Sequence, residues 1–218
     1  MNAIGRIVSL NIGAAKEERF LGIEYQSAID KSPKEEIMVM EDSIMGDSVA
    51  DTKHHGGSDR AVCFYPYEHY EKWKAEWGRK LRLPAFGENV TVSGMTEENV
   101  YIGDIYQIGD CLLQITQGRV PCAKISYFNY EPYFLKKVME TGLTGYFARV
   151  IKPGRIGIGD DIILTERIQA EVSVLYGNQI YLHGKGGLAG IEKILSIKEL
   201  AAEWQKKLLN KRESYFTS

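Results

Sequence analysis

Three short stretches of this 218-residue chain set reactive or polar side chains beside glycine or proline. The first is Asp51-Thr52-Lys53-His54-His55-Gly56-Gly57-Ser58-Asp59-Arg60. It packs two imidazoles, two carboxylates and two cations around a double glycine. Gly56 and Gly57 let backbone approach a ligand closely. Lys53 and Arg60 can hold a phosphate or carboxylate. His55 can give or take a proton near neutral pH. A polar loop whose carboxylates cap turns has an equal claim on this segment. The second stretch is Phe86-Gly87-Glu88-Asn89. The Asn89 amide offers a donor and an acceptor, which suits a heterocycle edge. In isolation, Glu88 beside Gly87 reads better as a turn residue. The third is Gln117-Gly118-Arg119-Val120-Pro121-Cys122. If Arg119 faces it, Cys122 gains thiolate character, and a thiolate is both a nucleophile and a soft metal ligand. The blander alternative is a small buried apolar side chain, since free cysteine is often buried.

Other polar residues carry less weight. Cys63 lies inside an apolar run and Cys111 opens one, so both read as packing residues. Three cysteines leave at least one free thiol, and none has zinc-site spacing. His69 and His183 read as structural or solvated. Arg149 and Arg155 are weak candidates for a second anion contact. Tyr70, Trp73 and Trp77 share one helical face and read as core rather than a stacking platform for bases. The loop Gly184-Lys185-Gly186-Gly187 lacks the full phosphate-loop spacing. No nucleophile elbow or HExxH motif occurs.

The elements that must position these residues are mostly strands. Short apolar runs predict strands over 4–12, 36–40, 61–65, 89–92, 104–108, 111–116, 146–151 and 162–167. In the first, Val8 and Leu10 fall on one face and Ile7 and Ser9 on the other. Gly109-Asp110 reads as a type I′ hairpin turn. This pattern argues for a mainly β barrel or sandwich over residues 1–167. Helical spacing appears at 67–81, with Pro66 in its first turn, and at 131–141, stopped by Gly142. After Arg167 the periodicity turns helical, at 172–182, 188–195 and 197–209. Ser196-Ile197-Lys198-Glu199 reads as a capping box that starts the last helix. Residues 168–218 are therefore a small helical appendage, too short to fold alone in most cases. It packs on the barrel or serves as a contact module.

Composition narrows the function classes. Lys plus Arg number 27 and Asp plus Glu 29, a net charge of −2. No global basic field pulls in nucleic acid. The apolar runs fall short of the roughly 20 residues that span a bilayer. The N-terminus has no apolar stretch ahead of a small-residue cleavage site, so the expectation is a cytoplasmic protein.

Taken together, the ordered segments resemble the MOSC domain, named for the C-terminal part of molybdenum cofactor sulfurases. They are Gly46-Asp47-Ser48-Val49-Ala50-Asp51, His55-Gly56-Gly57-Ser58-Asp59-Arg60-Ala61-Val62, Phe86-Gly87-Glu88-Asn89, Asn99-Val100-Tyr101-Ile102-Gly103-Asp104 and Arg119-Val120-Pro121-Cys122. The likeness covers about residues 1 to 165. Residues 172–211 resemble the three-helix domain that follows in a subset of stand-alone bacterial members. The resemblance implies a β-barrel whose strand-end loops form a pocket for the molybdenum cofactor, a pterin dithiolene with a phosphate. It makes Cys122 the metal ligand or a sulfur carrier. Lys53, Arg60 and Arg119 become candidates for the phosphate. Gly56, Gly57, Glu88 and Asn89 become candidates for the rest of the cofactor, and His55 or Asp59 for proton delivery. Relatives reduce N-hydroxylated bases and amidoximes, or protect cells against N-hydroxylated purines. Others are fused to a pyridoxal-phosphate desulfurase.

The expectation is an enzyme, a molybdenum-dependent oxidoreductase acting on a small molecule. No flavin, cluster or pyridoxal-phosphate site is evident in the chain, so electrons would come from a separate flavin or iron–sulfur protein. The alternatives are a carrier delivering cofactor or a Cys122 persulfide to another enzyme, and a metal-free binding protein that kept the barrel. The oligomeric state stays open. Leu188, Leu195, Leu200 and Trp204 fit a dimer contact, a donor contact or internal packing equally well.

Overall fold

In the computed structural model, residues 3–20, 22–48 and 56–217 are described. The strands are β1 (Arg6–Ile12), β2 (Lys16–Phe20), β3 (Ile23–Ser27), β4 (Ser32–Lys34), β5 (Glu36–Val39), β6 (Val62–Pro66), β7 (Val90–Ser93), β8 (Ile105–Ile108), β9 (Cys111–Gly118), β10 (Tyr146–Lys152), β11 (Gly154–Gly157) and β12 (Ile162–Glu166). The helices are α1 (Glu68–Trp77), α2 (Lys124–Phe128), α3 (Phe134–Thr141), α4 (Val174–His183), α5 (Gly187–Leu195) and α6 (Ala202–Thr217), with a 3-10 turn at Ser58–Arg60. Eight strands form one sheet in the order β12-β8-β9-β10-β6-β7-β1-β4. Only the β6–β7 pairing within it is parallel. A bridge between Gly5 and Ile162 brings the lead-in of β1 back against β12, so the sheet curls into a barrel. The pairs β2–β3 and β5–β11 stand apart as small sheets.

β6 is buried along its whole length because both its faces are covered. Val62 and Phe64 join the barrel core with Leu10, Val90, Leu113 and Tyr146. Tyr65 points the other way, into an aromatic cluster with Tyr70, Trp73, Phe86 and Phe134 from α1, α3 and the loop between. This is the core role that the aromatic spacing predicts.

Four local expectations need correction. A bulge between Ile7 and Ser9 breaks the β1 alternation, so Leu10 is buried while Val8 is exposed. Pro66 ends β6 rather than opening α1, whose N-cap is Tyr67. Gly109 alone has positive φ in its two-residue turn, which fits type II′ rather than I′. Ser196 does not start α6. It is the C-cap of α5, and its hydroxyl donates to Lys193 O at 2.7 Å. The chain then makes a turn at 197–200, and α6 begins at Ala202, whose N–H donates to Asp59 Oδ2 at 2.9 Å.

The tail has an apolar core of its own, including Ile180, Ile191, Ile194 and Trp204, and it takes in Ile102 and Val120 from the barrel side. Asn178 of α4 is fully buried and donates to Gly142 O at 2.7 Å and Thr144 Oγ1 at 3.0 Å. A Cβ at Gly118 would collide with that carboxamide. Gly118→Ala is therefore expected to destabilise the chain by about 1–3 kcal/mol. For a chain this long that lowers Tm by several degrees, at about 2–4 °C per kcal/mol, in a thermal melt.

Candidate functional site

β9 delivers the segment Arg119–Cys122 to the edge of the barrel. Arg119 N–H donates to Gly145 O at 2.9 Å, which ties the segment to the lead-in of β10. Cys122 then stands just before α2, its carbonyl accepting from Ile125 N–H at 3.1 Å. Of the three cysteines, Cys63 and Cys111 are buried and Cys122 is half-exposed. Two cavities meet at Arg60, Cys122, Lys124 and Phe147, which line both. The smaller, about 100 Å³, is completed by Lys31, Asp47, Cys63, Asn89 and Arg119 among others. The larger, about 450 Å³, is completed by Tyr25, Gln117, Tyr127, Glu203, Trp204 and Lys207 among others. That volume lies in the range typical of small-molecule sites.

The charges are arranged unevenly. Lys31 is buried and paired with Asp47. Asp47 also accepts from Gly13 N–H and from Asn89 Nδ2, each at 2.9 Å. Arg60 donates to Gly56 O from Nε at 3.0 Å and pairs with Glu203 on α6. Burial works to raise the Glu203 pKa, but the Lys207 hydrogen bond and the Arg60 charge hold it below the ordinary carboxylate value. Arg119 differs from these. It is only 8% exposed, yet its guanidinium forms no ion pair among the described residues and its buried Nη1 has no hydrogen-bond partner. Lys124 likewise has no ion pair among the described residues. Gln117 is 3% exposed; its Nε2 donates to Gly118 O at 3.0 Å, while its Oε1 has no partner. A buried cation without a partner is costly unless something compensates it. An anion beside Arg119 in the smaller cavity and a donor beside Gln117 in the larger one would satisfy these groups.

Burial pushes the Cys63 thiol up to about 11, and the nearby Arg119 charge only partly opposes this. Cys111, in the barrel core, is also pushed up to about 11 by burial. Both thiols stay protonated at neutral pH, whereas attack on an alkylating agent needs the thiolate. Native protein treated with iodoacetamide near pH 7.5 is expected to take one adduct, on Cys122, read as a single mass increment. Denatured protein takes three.

The predicted site residues separate into four groups. Arg60, Asn89, Arg119 and Cys122 converge on the cavities. Asn89 does so with its amide committed: Oδ1 accepts from Cys63 N–H at 3.0 Å, and Nδ2 serves Asp47 and, at 3.3 Å, Asn11 O. It fixes the wall of the smaller cavity rather than offering a free edge. Gly56 and Gly57 lead into the 3-10 turn; Gly57 has φ 106°, and the Gly56 carbonyl holds the Arg60 side chain. Lys53 and His55, with Asp51 and His54, lie outside the described residues.

Glu88 and Asp59 line neither cavity. Glu88 is fully buried behind the wall, where it accepts from Tyr70 Oη at 2.5 Å, Thr91 Oγ1 at 2.9 Å and Phe86 N–H at 3.1 Å. Burial raises its pKa despite those bonds. It holds the 85–88 loop in place. Asp59 pairs with Arg149 at 2.8 Å and caps Ala202 N–H, which joins the 3-10 turn to β10 and α6. Arg149 is thereby spent on Asp59 and on Glu199 O rather than on a bound anion. His69, set aside as structural, is buried against Glu97, with Nε2 and Oε2 2.5 Å apart. Asp59→Ala is expected to cost about 1 kcal/mol, the usual worth of a cap, because the partly exposed ion pair adds little. A thermal melt should show the loss.

The sequence reading missed Lys31, Lys124, Gln117, Glu203 and Lys207. Gln117 stood inside a quoted segment, but nothing in a sequence marks an unsatisfied acceptor. Among the described residues, no three or more His, Cys, Asp or Glu side chains gather as a metal-ligand set. No helix there is long and apolar enough to cross a membrane.

Comparison with known proteins adds context to this geometry. Residues 51–163 match the MOSC domain family. YflK of Bacillus subtilis (strain 168) is 38% identical over 208 residues, spanning 95% of this chain and 94% of that protein. A Gibberella moniliformis protein named "Reductase" is 38% identical over 176 residues, which is 78% of this chain but 31% of the longer protein. The crystal structure of YiiM from Geobacillus stearothermophilus superposes with a TM-score of 0.80 at 33% identity, covering 95% of this chain and 99% of that one.

Proposed function

The chain belongs to the MOSC domain family, whose members are associated with the molybdenum cofactor, and we propose that it binds that cofactor in the paired cavities and uses it to reduce N-hydroxylated compounds. One observation carries the reading: a half-exposed thiol, Cys122, shares a cavity with a buried guanidinium, Arg119, whose Nη1 has no hydrogen-bond partner among the described residues. The cofactor brings a phosphate and a metal that accepts sulfur ligands, and this pair of residues suits both. The relative named "Reductase" supports the reaction class.

Arg119, with Lys124 and Arg60 beside it, would hold the phosphate. Cys122 would ligate the metal, giving up its thiol proton to do so. Lys31, Asp47 and Asn89 form a prepaired wall that keeps the smaller cavity open and polar. Phe147 and Trp204 exclude water from the larger cavity, where a substrate would sit. Gln117 Oε1 would accept from an N–H or O–H of that substrate. When bound, the molybdenum centre supplies two-electron reduction, so that RNHOH, two electrons and two protons give RNH₂ and H₂O. Asp59 is turned away from the cavities and committed to Arg149 and α6, so the second proton-delivery candidate, His55, takes that role in the proposal.

The test compares protein from molybdate-fed cells with protein from cells unable to make the cofactor. Molybdenum near one atom per chain in the first alone, with dithionite-driven reduction of an N-hydroxylated purine, is the expected result. Loaded protein without turnover, but with a persulfide on Cys122 by mass spectrometry, would replace the reductase with a sulfur carrier. Equal, negligible molybdenum in both would leave a metal-free binding protein.

A further inference from the structure

We propose that the basic, aromatic-studded face beside the larger cavity docks an acidic electron-transfer protein. This rests on the reductase reading above, since reduction requires a source of electrons. Arg19, Arg79, Lys80 and Arg82 line a surface depression of about 340 Å³ that shares Tyr25 and Tyr127 with the larger cavity. Two acidic residues, Glu18 and Asp30, also line it. Asp30 is engaged by Arg82 at 2.6 Å and by Lys16. Arg19 and Lys80 are exposed and form no ion pair among the described residues. The chain as a whole carries −2, so this excess of cation is local. Such a patch steers an oppositely charged partner and sets its orientation.

The second observation is a continuous run of rings from that surface to the cavity. Tyr130 is 75% exposed and holds a left-handed φ of 51°, a conformation that non-glycine residues adopt uncommonly. Its segment is pinned by Arg79, which donates to Asn129 O, and by Asn129 Nδ2, which donates to Ala85 O at 2.8 Å. Tyr130 lies 5.8 Å from Phe20, Phe20 stacks on Tyr127 at 5.0 Å, and Tyr127 meets Tyr25 edge-on at 5.4 Å. Tyr25 and Tyr127 are walls of the cavity that holds Cys122. A donor seated on Tyr130 and the cations thus contacts the cavity through packed rings rather than through water.

Glu17, Glu18 and Glu24 on the β2–β3 hairpin interrupt the cations, so the face suits a folded partner whose separate acidic residues fall on Arg19, Arg79, Lys80 and Arg82 better than it suits the unbroken charge of a phosphate backbone. Each turnover would oxidise two donor molecules by one electron each. Two protons come from solvent, the N–O bond breaks, the oxygen leaves as water, and an N–H bond forms.

The experiment uses cofactor-loaded protein, an N-hydroxylated purine, and two donors: reduced flavodoxin, an acidic protein, and dithionite. The expected result is that Arg19→Glu/Lys80→Glu lowers flavodoxin-driven kcat/KM by about 10-fold or more. Wild-type flavodoxin-driven kcat/KM also falls between about 50 and 300 mM salt, while dithionite-driven turnover of the two proteins stays within about twofold. Equal loss with both donors, no loss with either, or tighter binding of transfer RNA than of flavodoxin at this face overturns the proposal. Absence of dithionite-driven turnover in the loaded wild type instead overturns the reductase reading, so the two failures are told apart.

Discussion

Cys122→Ala is expected to release the metal. Molybdenum per chain should fall at least about 10- to 100-fold, since loss of an outer partner of a metal ligand alone costs that much in affinity or activity. Reductive turnover should fall with it. The variant should still fold, because the side chain is half-exposed and fills no core, and its melting curve should overlay the wild type within a degree or two. Cys122→Ser keeps the size but offers a harder, more weakly acidic oxygen, and it should follow the alanine variant in metal content. Cys63→Ala is the internal comparison. Cys63 also lines the smaller cavity, yet it is buried and held as a neutral thiol, so its loss should lower stability and leave molybdenum per chain unchanged. Equal molybdenum in wild type and Cys122→Ala would end the ligand assignment.

Arg119→Met is expected to move two measurements in opposite directions. In the cofactor-free protein a buried guanidinium whose Nη1 has no hydrogen-bond partner among the described residues is a liability, and an apolar side chain of similar length removes it. The apo protein should gain about 1–3 kcal/mol and melt several degrees higher. Cofactor binding should weaken by about 10- to 100-fold, the worth of a hydrogen bond to a charged group. Arg119→Lys keeps the charge but loses the fork, and should fall between the two in affinity. A lower apo melting temperature for Arg119→Met would mean that the guanidinium is a structural member, and the anion site would be lost with that result.

The barrel was legible where strands are half apolar and ended by glycine, as at 104–116 and 146–151. It was illegible where strands are polar. β2 reads Lys-Glu-Glu-Arg-Phe and β4 reads Ser-Pro-Lys, and neither carries an alternation that a buried face would impose. The β2–β3 hairpin therefore went unseen, although it supplies Tyr25 to the cavity. The false helix start at Ser196 has a related cause. A capping box is a local pattern, and here it lost to a cap supplied by Asp59 from far along the chain. The site divides in the same way. Arg60, Arg119 and Cys122 stood in recognisable segments and do converge. Lys31, Lys124 and Glu203 are ordinary surface residues in sequence, and only the curl of the sheet and the docking of α6 bring them to Cys122. Glu88 beside glycine reads in isolation as a turn residue, and the structure has it holding its loop, its carboxylate engaged by Tyr70 and Thr91; its cofactor role rested on the family resemblance alone.

The grip of Asp59 and Arg60 on the first turn of α6 also fixes when the site becomes whole. Phe147 and all the other lining residues leave the ribosome before Glu203, Trp204 and Lys207. At about 5–20 residues per second, the nascent barrel stands with one side of its binding chamber missing for several seconds. If the chain takes up the pterin cofactor as proposed, that interval would leave the chamber without the wall formed by Glu203, Trp204 and Lys207, and loading during translation is expected to outpace loading of the completed chain.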